Sequence, residues 1–232
     1  MLPLRRANTR VGIAPDSKLL TDFFNQHGPN FYAIDEVGRG SLFGPVTVGV
    51  VFFSAEIWEH LRNHPVVEHV RDSKLVKKRA REELAATLGS ILPFAMAHVS
   101  AKIIDRDNIN RAIQRGVYRA IQKLRLRGIF SSVALLDGNY RFNFPSFAMT
   151  SPMPRLVSIP KADQNYFPVA CASILAKVER DAMIAHSAVH FPEYHLDQNM
   201  GYGTAAHRTA LLQHGMTRHH RRSFCGNFIS IA

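Results

Sequence analysis

Residues 131–138, SSVALLDG, form a short run that is apolar almost throughout and closes on one carboxylate, Asp137. A strand of that kind is expected to be buried on both faces, so other layers must cover it above and below. Two more β-rich runs precede it, FYAIDEV (31–37) and PVTVGVVFF (45–53). The GRGSLFG between them is too long for a two-residue hairpin and suits a longer loop between antiparallel neighbours. PFAMAHVSA (93–101) and RLVSIP (155–160) supply two further strand candidates.

The cover comes from helical patterns. Residues 74–89 carry an apolar stripe at Val76, Ala80, Leu84 and Leu88, with Gly89 as the expected terminator. Ile109, Ala112, Ile113, Val117, Ala120, Ile121 and Leu124 keep the i, i+3, i+4 rhythm up to Gly128, with arginines on the other face. A second long helix is expected from Asp163 to about His190, with Pro168 tolerated in its first turn. A further helix is expected near 204–214, followed by the basic segment TRHHRRSF (217–224), which reads as a solvated tail. The arginine-rich faces of 74–83 and 111–127 read the same way. The fold class is therefore α/β: a mixed sheet flanked by helices, with a helical C-terminal part.

Lys and Arg number 29 against 18 Asp and Glu, a formal net charge of +11 that points to a polyanionic partner, nucleic acid before a membrane surface. The longest apolar stretch, VTVGVVFFSA (46–55), is too short to span a bilayer. Cys171 and Cys225 form no disulfide framework and read as reduced thiols. The expectation is a soluble cytoplasmic protein, without cysteine–histidine pairs at zinc spacing.

Because acidic residues are scarce, those at element ends stand out: Asp35-Glu36 closes the first strand, Asp137 the fourth, and Asp163 opens a helix. Strand ends and helix starts are where active groups gather in such sheets. Four carboxylates converging there would repel one another unless cations held them. Magnesium or manganese is the natural counter-ion, and two such ions roughly 3.5–4 Å apart form a clamp for phosphodiester hydrolysis. Taken singly, Asp137-Gly138-Asn139 reads as a turn and Asp163 as a helix cap. Asp35-Glu36 is harder to read that way, since neither residue favours a strand.

The runs IDEVGRGSLFGPV, DSK (72–74), the DG of LLDGNY, KAD followed by ACASILAKVERD (170–181), GYGT (201–204) with His207, and HRRSF (220–224) resemble bacterial ribonuclease HII in order and spacing. The match runs from about residue 31 to 224. The resemblance implies a ribonuclease H-like fold: a five-stranded mixed sheet flanked by helices, with a small helical C-terminal extension. Residues 1–30 precede the match and read as an N-terminal extension, expected to be loosely ordered; a catalytic domain is expected at 31–190, and a C-terminal extension at 191–232 carrying GYGT and the basic tail. The implied activity is endonucleolytic hydrolysis of the RNA strand of RNA–DNA hybrids. It extends to nicking 5′ of single ribonucleotides in duplex DNA, through two metal ions, leaving 3′-hydroxyl and 5′-phosphate ends. The metal ligands carry over to Asp35, Glu36, Asp137 and Asp163, and the cofactor to Mg2+ or Mn2+. The ribose-reading loop carries over to Gly38, Arg39 and Gly40, and the tyrosine stacking near the RNA–DNA junction to Tyr202. Phosphate contacts carry over to Lys74, Asn108 and Lys177. The substrates implied are RNA–DNA hybrid and ribonucleotide-containing duplex; the protein is expected to be monomeric and off the membrane, and a sliding-clamp contact is left open. The chain departs from the family pattern at Leu75 and Met200, where lysine is usual, at Lys77, Ala162 and Phe43.

The residue chemistry agrees with that implication. The 2′-hydroxyl distinguishes RNA from DNA, and backbone groups reach it only where no Cβ intrudes. An arginine between the glycines can fork onto a phosphate, and a tyrosine offers a stacking face. Two readings compete: another ribonuclease H-like nuclease acting on DNA, and a non-catalytic nucleic-acid-binding module.

Overall fold

Strand β1 (Asn30–Val37) sits at the middle of the molecule because it is apolar on both sides, as a central strand requires. Here the protein is described by a computed structural model covering residues 17–71, 73, 74, 76–142, 144 and 152–226. The elements in chain order are α1 (Ser17–His27), β1, β2 (Val46–Ser54), α2 (Ala55–Leu61), α3 (Val66–His69), α4 (Lys78–Ile91), β3 (Phe94–Val99), α5 (Ala101–Asp107), α6 (Ile109–Arg125), β4 (Val133–Asp137), β5 (Arg155–Ile159), α7 (Ala162–Asn165), α8 (Phe167–His190), α9 (Leu196–Asn199), α10 (Ala205–His214) and α11 (Arg222–Cys225).

The five strands lie in the order β3-β2-β1-β4-β5. β1 pairs antiparallel with β2, and β2 with β3, while β4 runs parallel to both β1 and β5. The sheet is mixed and flanked by helices, as expected. Alternation along β1 divides the core in two. Phe31 and Ala33 join Val133 and Leu135 against α1, α4 and α8. Tyr32 and Ile34 join Ala134 and Leu136 against α6. On α6 the seven buried residues are Ala112, Ile113, Gly116, Val117, Ala120, Ile121 and Leu124. Burying each Val, Ile or Leu side chain there contributes roughly 1.5–3 kcal/mol before entropy is counted. A third apolar cluster joins Leu42 and Phe43 to Ile184, Leu196 and Leu211, binding the C-terminal helices to the loop after β1.

Several expectations are corrected. The extension at 1–30 is not loose throughout: residues 17–27 form α1, which buries Leu20 and Phe23 against the first core cluster. Residues 1–16 and 227–232 lie outside the described residues. Gly89 does not end α4; the helix runs on to Ile91, and extended Leu92 stands before Pro93, where a proline disfavours helical backbone in the residue it follows. The helix expected from Asp163 is broken at extended Tyr166, so that α7 and α8 are separate and Pro168 falls in the first turn of α8. Proline has no N–H to carry the helix through. Among the described residues no helix is long and apolar enough to cross a membrane.

Candidate active site

The parallel register of β1 and β4 sets Tyr32, Ala33 and Ile34 against Ala134, Leu135 and Leu136, so the next pair at the carboxyl ends is Asp35 and Asp137. Both face the α8 side of the sheet, while Glu36, one residue on, faces the α6 side. Asp35 is 5% exposed and hydrogen-bonds Ser173 of α8; its Oδ1 also accepts from the Glu36 amide at 2.8 Å. Asp137 Oδ1 accepts from the Ala162 amide at 2.7 Å, tying the end of β4 to the start of α7. The next residue, Asp163, is buried, and its Oδ2 lies 3.9 Å from Lys74 Nζ. Fold topology thus brings three strand-end carboxylates and one helix-start carboxylate to the same end of the sheet.

The charges press on one another. Asp35 is held well above the usual carboxylate range, by burial first and then by Glu36, with Asp137 and Asp163 adding to it. Burial also pushes Glu36 from 4.5 up to about 7, against the lowering effect of Tyr140 and Arg39. The Tyr140 hydroxyl donates to Glu36 Oε1 at 2.6 Å and accepts from Arg39 Nη1. Glu36 Oε2 is buried without a hydrogen-bond partner. Among the described residues no three His, Cys, Asp or Glu side chains stand as a finished metal cage; Glu36 turns to Tyr140, Asp137 to Ala162 and Asp163 towards Lys74. An orphaned buried carboxylate oxygen, beside a second carboxylate whose charge its neighbours oppose, fits a divalent cation.

Gly38-Arg39-Gly40 follows β1 directly. Gly38 is buried with φ +86°, and Arg39 and Gly40 are exposed. Arg39 Nη2 donates to Asn110 Oδ1 at 3.0 Å. Tyr202 lies against this loop through a bridge to Ser41. The Tyr202 ring stands 5.6 Å from Lys177 Nζ and 5.4 Å from Arg180 Cζ. Lys74 is 77% exposed at its side chain. Lys177 is paired with Asp181 at 2.7 Å. Asn108, at φ +68°, caps α6 by accepting from the Arg111 amide at 3.1 Å. A cleft of about 1360 Å3 opens beside Glu36 and Arg39, lined by Arg111, Arg115, Tyr118 and Tyr140 among others. Part of the arginine face of α6 therefore borders the site rather than open solvent.

The basic segment at 217–224 is corrected more sharply. Arg221 is 0% exposed and His220 is buried. His220 Nε2 lies 3.1 Å from His207 Nε2, and His207 Nδ1 lies 2.9 Å from the Tyr202 carbonyl, a histidine relay ending on the GYG turn. Burial, more than neighbouring cations, drives His220 down to about 3. Sequence reasoning also missed Tyr140, Ser173, Arg180 and Arg221 as parts of the site. All four lie inside runs already singled out, but basic and hydroxyl side chains on a surface-like pattern carry no mark of burial.

A family model described as Ribonuclease HII matches residues 33–227. The ribonuclease HII of Thermosynechococcus vestitus is 36% identical over 202 residues, covering 87% of this chain and 86% of its own. Among solved structures, the ribonuclease H2 of Pyrococcus horikoshii is similar with a TM-score of 0.67 and 26% identity, over 86% of this chain and 96% of that one. The ribonuclease HII of Archaeoglobus fulgidus, solved in complex with PCNA, gives a TM-score of 0.64 and 28% identity over 83% and 92%. The fold is thus ribonuclease H-like. A family match running from the middle of β1 to the end of α11, with a relative more than a third identical over most of both chains, shows that the chain belongs to the ribonuclease HII family.

Proposed function

We propose that the protein is an endoribonuclease that hydrolyses the RNA strand of RNA–DNA hybrids. It also nicks 5′ of single ribonucleotides in duplex DNA, leaving 3′-hydroxyl and 5′-phosphate ends. The observation that carries this reading is the continuity of β1 with the loop after it. Buried Asp35 and half-buried Glu36 close the strand beside Asp137, and Gly38-Arg39-Gly40 begins two residues later. When bound, a pair of magnesium or manganese ions supplies activation of water and offsets charge on the leaving 3′-oxygen.

The chain's own residues do the rest. Asp35 and Asp137 offer rigid oxygens at adjacent strand ends, Glu36 offers Oε2, and Asp163 offers a fourth carboxylate from α7. Exposed Gly40 lets backbone reach a 2′-hydroxyl, and Arg39 forks onto a neighbouring phosphate. Tyr202, backed by the cations of Lys177 and Arg180, offers its face to the base or sugar at the junction. Lys74, Asn108 and Lys177 border the path of the phosphates; Lys74 and Asn108 are exposed and Lys177 half-buried.

The test is a DNA duplex containing one ribonucleotide, incubated with magnesium, with manganese and with chelator. Nicking 5′ of the ribonucleotide only when metal is present is expected. Asp35→Asn and Asp137→Asn should each lower the rate by at least about a thousandfold, the scale of losing one charged catalytic group, with hybrid binding retained. Full activity in either variant overturns the assignment. Cutting of an all-DNA duplex at equal rate favours a DNA nuclease, and metal-dependent binding without cutting favours a non-catalytic module.

A further inference from the structure

Burying a guanidinium is costly unless something compensates its charge. Arg180 on α8 and Arg221 at the start of α11 are each 0% exposed. Among the described residues no carboxylate lies within ion-pair distance of either; Asp181 and Asp105 act on them only from farther away. Each also repels the other: Arg221 is pressed below the ordinary arginine range by burial and then by Arg180.

Their compensation comes from one place. Arg180 Nε donates to the Pro45 carbonyl at 3.0 Å, and Nη2 to Ser41 Oγ at 2.7 Å and the Phe43 carbonyl at 3.2 Å. Its Nη1 donates to the carbonyl of Met200, two residues before Tyr202, at 3.0 Å. Arg221 Nε donates to the Gly44 carbonyl at 3.0 Å and Nη1 to the Arg39 carbonyl at 2.9 Å, while its own amide donates to Leu42 O at 2.8 Å. Every acceptor but one thus belongs to residues 39–45, the loop that runs on from the catalytic strand. The remaining one belongs to Met200, the residue just before the GYG turn. The Arg180 side chain also fills the space beneath Gly38, where an added Cβ would lie 2.0 Å from Nε.

We infer that Arg180 and Arg221 are positioning residues for ribonucleotide recognition. Two buried forks draw the carbonyls of the 39–45 loop and of Met200 inward, fixing Gly38-Arg39-Gly40 and Tyr202 as one rigid surface at a set distance from Asp35 and Glu36. Neither arginine touches substrate. A fork is required because each side chain spans two or more acceptors that do not share a point, which an ammonium on a flexible stem cannot hold in one geometry. The inference rests on the reading of the site as a ribonucleotide-directed nuclease.

The experiment uses the full chain carrying Arg180→Lys or Arg221→Lys, with Val117→Ala as a control that loosens the α6 core away from the loop. Measured are thermal unfolding, manganese binding by calorimetry without substrate, and kcat and KM on the single-ribonucleotide duplex. Misplacing a recognition loop by about an ångström costs on the order of a hundredfold in rate. A kcat loss of about tenfold or more is therefore expected for each lysine variant, with manganese affinity within about threefold of the parent and Val117→Ala near the parent's kcat. Lysine variants that match Val117→Ala in kcat overturn the inference. So does a loss of manganese binding in step with activity, which marks a general structural role. Where a lysine variant does not fold, Ser41→Ala removes one acceptor of Arg180 together with the Ser41 bonds to the Phe43 and Gly201 carbonyls, and no charge; an unchanged kcat in that variant overturns the role of Arg180, and a drop of about threefold or more supports the buried network that Arg180 holds together. A parent protein that fails to nick overturns the underlying reading, and this inference with it, whereas a nicking parent with indifferent arginine variants removes this inference alone.

Discussion

Gly38 and Gly40 are two residues apart and meet opposite surroundings. Gly38 holds φ +86° over the Arg180 side chain, whereas nothing lies within 4 Å of where a Cβ on Gly40 would be. The two glycines look alike in the sequence, since what separates them is a side chain 142 positions later, and such a contact leaves no trace in local spacing. The difference gives a clean test. Gly38→Ala should destabilise the fold by about 1–3 kcal/mol through strain and overpacking, read from denaturant unfolding. Gly40→Ala should unfold within about 0.5 kcal/mol of the parent yet lose discrimination between ribonucleotide-containing and all-DNA duplexes. Intact discrimination in Gly40→Ala would refute a ribose-reading role for that position. Asp35, Glu36 and Asp137 stood out for a different reason: a charged residue at the end of an apolar run is conspicuous in itself. Tyr140 was not, because its bond to Glu36 forms only once the β4 end and the β1 end are side by side.

Elements carried most of what the sequence made readable. The strand runs at 31–37, 45–53, 93–101, 131–138 and 155–160 correspond to β1 to β5 with ends shifted by a few residues. Period and turn residues are local properties, and they survive folding. The errors were also of one kind. Gly89 was a terminator by propensity but sits inside α4, since helix C-termini follow from tertiary neighbours and from Pro93 as much as from glycine. Leu20 and Phe23 gave α1 an apolar stripe too short to stand out beside the stronger helices. How α8 approaches the sheet was not legible at all. Gly49 on β2 lies opposite Asp35 in register, and a Cβ there would come 2.7 Å from the Ala172 carbonyl of α8. The next residue of that helix, Ser173, hydrogen-bonds Asp35. Gly49→Ala should therefore push α8 outward, cost about 1–3 kcal/mol of stability, and lower kcat although no carboxylate has changed. Parent-like kcat in a measurably destabilised Gly49→Ala protein would show that the approach of α8 does not set Asp35.

For the molecule as a whole, the candidate site is a store of unfavourable charge that a cation would relieve under the proposed function, which would link activity to stability through pH. Without metal, Glu36 titrates near 7 in the folded protein against 4.5 unfolded, and Asp35 is raised as well. The folded state then binds more protons than the unfolded chain in that window. The contribution of these carboxylates is full below about pH 4.5 and is lost as pH rises through 7. His220 works in the opposite sense: at about 3 folded against 6.5 unfolded, its contribution is present above 6.5 and lost as pH falls. Above pH 7 the histidine is neutral in both states, so what remains is the repulsion among carboxylates. Divalent ions bind the deprotonated carboxylates, so their stabilisation should be large at pH 8 and small at pH 5.5. At a manganese concentration about 100 times Kd the gain is about 2.7 kcal/mol, or about 5–10 °C in Tm for a chain of this size. Asp35→Asn replaces a buried charge by a neutral isostere. In chelator at pH 8 it should melt at or above the parent, and manganese should shift it far less. Calorimetric melting of both proteins at the two pH values, with chelator and with manganese, reads all of these at once. An equal manganese shift at pH 5.5 and 8, or an Asp35→Asn protein that melts well below the parent in chelator, would mean that the four carboxylates do not oppose one another as their burial and placement require.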